Sequence, residues 1–258
     1  MTRLRKRQKV QVQMNEAILH GDLDGSAAKL EGYTFAEHLW FATRDVILFV
    51  DCNSDKSKED GTQEYPFKTI QAAVNSVNLL CNHFTINIAD GTYNEDVKIL
   101  DYMANGVYLE GASKAGVKIK SIIARSLKHL WLHNLTVFGV YSEEFGRGFE
   151  TAWCNTTIDD CDFVGCEESQ VGYISHGGST FLNGCSFTNT KIGISAIYGA
   201  SVEVTESTFS GNTQADLHAG GGFIGTDVEG LKTLSTFGGI VASPKIAQAI
   251  ADGTFGIA

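Results

Sequence analysis

The chain has 258 residues, 43% of them hydrophobic, with 28 Gly, only 2 Pro and a net charge of −10, proportions of a turn-rich β protein folded as one large or two small domains. Arg3, Arg5, Lys6, Arg7 and Lys9 are five of the 20 basic residues, and the first 13 residues hold none of the 30 acidic ones. The remaining body is acidic and repels nucleic acid and anionic membranes.

From the N-terminus, the basic tip reads as a solvated terminal segment, with an acidic partner as the alternative. The apolar stretch that a secretion signal needs is missing, and the longest apolar run, Val46 to Val50, is strand-sized. Cytoplasmic synthesis with reduced thiols and no membrane insertion is therefore expected. Over residues 61–80, Pro66 suits the first turn of a helix, and Ile70, Val74, Val77 and Leu80 share one face. Such a helix can plug the end of a solenoid and protect its edge strands.

The middle of the chain repeats itself. An apolar strand residue returns at Ile88, Leu109, Leu132, Ile158, Leu182 and Val204, with gaps of 21, 23, 26, 24 and 22 residues. TIDDCDF at 157–163, FLNGCSF at 181–187 and EVTESTF at 203–209 run nearly in register, and WLHNLTV at 131–137 is a looser copy. Short alternating strands repeated at this period signal a solenoid, and the lengths fit one turn of a parallel β-helix. Alternation turns Ile158, Cys161 and Phe163 inward, with Leu182, Cys185, Phe187 and Val204, Ser207, Phe209 stacked upon them. Of the six cysteines, none forms a CxxC pair. Cys161 and Cys185 share their inward position with Leu135 and Ser207 and read as small core residues, so no metal or cofactor is expected.

The order DGT at 60–62, YPFKTIQAAV at 65–74 and TINIADGTY at 85–93 resembles the entry to the right-handed β-helix of the pectate-lyase-like superfamily, which recurs in phage tailspikes, pectin methylesterases and adhesins. The resemblance implies an all-β, right-handed parallel β-helix of about six coils with an N-terminal capping helix and short irregular segments at both ends. On that reading residues 1–46 form an attachment segment, 47–218 the β-helix and 219–258 a cap or subunit-joining tail, where 243–253 reads as a short helix. Segment 21–38, GDLDGSAAKLEGYTFAEH, is similar to linker elements of phage tail-fibre proteins, in which three chains commonly wind together. This implies a homotrimer in a virion tail, joined to other tail proteins through its N-terminal segment and attached to a host-surface glycan. A polysaccharide depolymerase and a purely structural virion connector are the alternatives, since this fold carries many functions.

Three constellations are candidates for chemistry. A corner column reads Ala89, Glu110, His133, Asp159, Asn183 and Thr205, and Glu110, His133 and Asp159 on successive coils suit general acid and base work on a sugar, or else are ordinary polar turn residues. An outward column, Asn87, Tyr108, Trp131, Thr157, Phe181 and Glu203, offers Tyr108, Trp131 and Phe181 as a subunit interface. Trp153, His176 and Tyr198 at the end of another sheet read as a glycan-binding groove floor or as packed edge residues. The enzyme families of the superfamily need an arginine within an acidic constellation. Arg44, Arg125 and Arg147 are the only arginines beyond the basic tip, none in a clear constellation, and Arg147 with Glu143, Glu144 and Glu150 reads as a solvated face.

Overall fold

The computed structural model describes residues 29–30, 33–34, 45–77, 82–101, 104–139, 147–165 and 171–243. The basic tip, most of segment 21–38, Leu80, Cys81, Glu143, Glu144, Cys166 and the helix expected from Ser243 onward lie outside them. The fold is an all-β parallel solenoid of about six turns, with one short helix among the described residues.

Apart from the antiparallel pair β1 (Lys29–Leu30) and β2 (Tyr33–Thr34), every strand ladder among the described residues is parallel. The strands stack as three faces of a prism. The first holds β3 (Val46–Val50), β4 (His83–Ile88), β6 (Gly106–Gly111), β8 (Leu130–His133), the second halves of β10 (Arg147–Asp159) and β12 (Val171–Asn183), then β15 (Ser201–Thr205), β18 (Phe223–Thr226) and β20 (Ile240–Ala242). The second holds the beginnings of β5 (Gly91–Leu100) and β7 (Val117–Arg125), then β9 (Thr136–Val137), β11 (Asp162–Val164), β13 (Ser186–Thr188) and β16 (Thr208–Ser210). The third holds the ends of β5 and β7, the first halves of β10 and β12, then β14 (Ile192–Ile197), β17 (Ala215–Gly220) and β19 (Thr233–Thr236). Parallel pairing thus runs past residue 218 to Ala242: Gly220 ends β17 and pairs with Thr236, and Gly221 and Gly222 turn the chain into β18.

The core is the stack of inward residues. Phe163 and Phe187 lie 4.7 Å apart at 4°, and Phe187 and Phe209 follow at 5.2 Å and 14°. Leu135, Cys161, Cys185 and Ser207 are all buried in one column. Burial pushes the Cys185 thiol up to about 12 and holds Cys161 well above its ordinary value, so both are neutral packing residues. A polar link crosses the interior where the Tyr173 hydroxyl meets Thr151 Oγ1 at 2.8 Å and Thr180 Oγ1 at 2.6 Å.

Register corrects the first coil. Leu109 pairs with Ile86, not Ile88, and Glu110 pairs with Asn87, not Ala89. Thr85 therefore stands in the column of Tyr108, and Ala89 and Asn87 leave the places assigned to them. Ile86 and Ile88 are both buried, so alternation alone does not tell them apart.

Helix α1 (Ile70–Ser76) begins later than Pro66 suggests. Thr69 is its N-cap, its Oγ1 accepting from Ala72 N at 3.1 Å. The Glu95 carboxylate on β5 accepts from Ile70 N at 2.8 Å and Gln71 N at 2.9 Å, which satisfies two of the amides a helix start leaves open. Ile70, Val74 and Val77 are buried against the first coils.

Candidate functional site

The prism turns its corners on left-handed backbone. Between the third and first faces the register aligns Asp101, Ser126, Trp153, Gly177, Tyr198, Gly221 and Phe237, with φ of 57, 56, 57, 70, 53, 72 and 53°. Glycine adopts this conformation freely and a bulky side chain does not. Three of these seven places nevertheless carry aromatic rings, and the rings face water: Trp153 is 66% exposed, Tyr198 71% and Phe237 95%. The Trp153 indole lies across Gly177 of the next coil.

His176 is not in this column. It pairs with Ala152 and Ile197 on the third face, one residue before the corner, and its ring stands 5.8 Å from that of Tyr198. Its Nε2 is buried without a hydrogen-bond partner. Burial holds the imidazole below its ordinary pKa, and the guanidinium groups of Arg147 and Arg125 act in the same direction against the pull of Glu150. The three expected residues Trp153, His176 and Tyr198 therefore form one patch. Phe237 extends it beyond what the repeat suggested, and the glycine that follows it, as Gly199 follows Tyr198, is the local signal of the shared turn.

A second cluster borders the patch and corrects the reading of Arg147 and Glu150 as a solvated face. Glu150 is buried, accepting from Arg125 Nη2 at 2.8 Å and from Arg147 Nη1 at 2.6 Å. Burial alone would raise the Glu150 carboxyl, but the two guanidinium bonds outweigh it and hold the group below its ordinary value.

The acid and base column comes together in part. His133 Nδ1 lies 2.6 Å from Glu110 Oε1, and its Nε2 lies 4.0 Å from Asp160 Oδ2. Asp159 pairs with His133 in the ladder, yet the neighbouring carboxylate at the histidine is that of Asp160, which the tight corner at φ 49° brings round. Glu110 also lines a cleft of about 450 Å³ with Asp51, Gln63, Pro66, Asn87 and Ala112. A carboxylate hydrogen-bonded to an imidazole at the edge of a cleft can exchange a proton with a bound molecule.

On the first face Tyr108 and Trp131 stack 4.2 Å apart at 3°, and His129 covers Trp131 at 3.5 Å and 18°. Both rings are half-buried by these contacts. Phe181, 38% exposed, is set apart by Thr157 in the ladder, so the interface column is one closed stack and one isolated ring.

Among the described residues no group of three or more His, Cys, Asp or Glu could hold a metal ion, and no helix is long and apolar enough to cross a membrane. No protein-family model, curated protein sequence or solved structure matches the chain.

Proposed function

We propose that this chain is a host-recognition component of a phage tail fibre or tailspike, and that it holds a surface glycan against the corner carrying Trp153 and Tyr198, with His176 beside them. The observation that carries the reading is the presence of exposed rings at backbone positions that favour glycine. Flat, amphipathic rings are good platforms for sugars, and at this exposure they add little to the core. A parallel β-solenoid supplies the rigid support that such an edge needs, and the tail-fibre likeness of segment 21–38 supplies the attachment.

Binding of the protein to a glycan array and to whole cells tests this. Trp153→Ala should weaken binding by about 1 to 2 kcal/mol, and wild-type binding that the substitution leaves unchanged rejects the site. The depolymerase reading keeps one specific support, the Glu110–His133 pair at the mouth of the cleft. If it holds, wild type releases new reducing ends from a host polysaccharide, and Glu110→Gln slows release by roughly 10²- to 10⁴-fold. Binding without release in wild type dismisses it.

A further inference from the structure

A second site lies away from the aromatic edge, where the first face turns into the second on the earliest coils. Later coils make this turn on left-handed residues, Asn134, Asp160, Gly184 and Glu206. Ile88 and Gly111 hold the equivalent places in the register and are not left-handed. The chain therefore leaves the corner differently, and Ala112 is exposed at the step where Leu135 and Cys161 are buried. Beside this small residue opens the cleft of about 450 Å³, a size within the span of small-ligand sites, roughly 300 to 1,000 Å³. Its far wall is the loop carrying Gln63 and Pro66, and backbone bonds to β3 fix that wall in place. Phe49 N donates to Gly61 O at 2.9 Å, Phe67 N to Phe49 O at 2.9 Å and Asp51 N to Phe67 O at 2.8 Å.

The near wall is the outward column Phe49, Asn87 and Glu110, on successive coils about 4.8 Å apart. The fold does not use up the polar atoms here. Among the described residues neither the Asn87 nor the Gln63 side chain has a hydrogen-bond partner. Glu110 gives Oε1 to His133 and keeps Oε2 open, and Asp51 gives Oδ1 to Asn53 N. Carboxylates only accept and amides do both, so these walls call for a ligand rich in donors. No lysine or arginine is among the described residues that line the cleft, and two carboxylates without such a partner repel an anion. Phe49, Pro66 and Ala112 add apolar surface. A ring with hydroxyls on its rim and an apolar face meets all of these demands. We propose that the cleft binds one uncharged pyranose, either free or at the end of a glycan. Adjacent hydroxyls bond to Asn87 and Glu110, and the apolar face of the sugar lies toward Phe49 and Pro66. The site is separate from the Trp153 corner, and Glu110 acts in binding whether or not a glycan is cut.

Ligand-observed NMR titrations of the full chain test this. The probes are the methyl glycosides of glucose, galactose, mannose and N-acetylglucosamine, the four free sugars, and methyl glucuronide and methyl glucosaminide as charged counterparts. At least one neutral sugar should bind, and the glucuronide should bind roughly tenfold or more weakly than the tightest neutral glycoside. Preference for a glycoside over its free sugar identifies a chain end as the source, and the reverse identifies a soluble sugar. Asn87→Ala should weaken binding roughly 5- to 10-fold. Ala112→Phe, which fills the cleft from an exposed position, should abolish binding and leave the melting temperature unchanged. Trp153→Ala should leave sugar binding intact, which separates a failure here from a failure of the aromatic edge. Absence of binding by every neutral sugar, or binding undiminished in both cleft variants, overturns the proposal. A glucuronide that binds as tightly as the neutral glycosides, or a glucosaminide that binds more than roughly tenfold tighter, overturns the uncharged ligand.

Discussion

The Trp153 indole fills the space that any side chain at Gly177 would need: a Cβ there would lie 2.6 Å from Trp153 Cζ3 and 2.7 Å from Cε3. Gly177→Ala therefore meets two penalties, the left-handed backbone at φ 70° and displacement of the indole. A loss of about 1 to 2 kcal/mol is expected from the backbone alone. It should appear as a lower denaturation midpoint accompanied by a shift in tryptophan emission. An unchanged midpoint and spectrum would place the indole elsewhere.

The phenylalanine stack sets the stability of the middle coils. Phe187→Ala removes a fully buried ring between Phe163 and Phe209 and should cost about 3 to 5 kcal/mol. Glu203→Ala on the exposed face of β15 should cost less than about 0.5 kcal/mol. Urea titrations of the two variants measure the difference, and equal midpoints contradict the register.

Stability should fall in two steps as the solution is acidified. His129, His176 and His218 are each held below the ordinary histidine value of 6.5, with burial the leading cause. The unfolded chain takes up their protons first, so stability declines as pH drops below 6.5. Glu150, held below 4.5 by its arginines against the effect of burial, contributes stability that is present above 4.5 and lost as pH falls through its lowered value. Urea midpoints at pH from about 7 down to about 3 record both limbs. His129→Gln should shallow the first and Glu150→Gln the second, and a profile flat from pH 6.5 to 5 would remove the histidines from the account.

Light scattering of the full chain should give three times 27.9 kDa. Phe181 is the exposed ring of the expected interface column, and a closed threefold assembly would bury it. Phe181→Glu should then release monomers. A monomeric wild type at micromolar concentration ends the trimer proposal.

How far the sequence exposed this architecture varies along the chain. In the late coils Ile158, Leu182 and Val204 align as their spacing indicates, because a corner of fixed length separates each from a buried small residue and a phenylalanine. In the first coil the corner differs, and two buried isoleucines of the same parity left a two-residue ambiguity. The Glu150 cluster was hidden for another reason. Arg125 and Glu150 are 25 residues apart and meet only because one coil separates them, and burial of an outward-facing carboxylate follows no alternation rule. The corner column was half legible: Trp153 and Tyr198 stood out as aromatics, but their kinship with Gly177, Gly221 and Phe237 lies in a shared backbone conformation, which composition does not display.

That shared corner gives the molecule a parity. In a solenoid each coil rests chiefly on its neighbours, so coils can be added or removed with little effect on distant ones. Alternation of ring and glycine makes the count matter. Insertion or deletion of one coil between Trp153 and Phe237 would throw the rings on either side out of phase, while a change of two coils would preserve the alternation. Chains that keep this edge in use should therefore lengthen or shorten in pairs of coils, and an odd change would be tolerated by the fold while breaking the alternation of the edge.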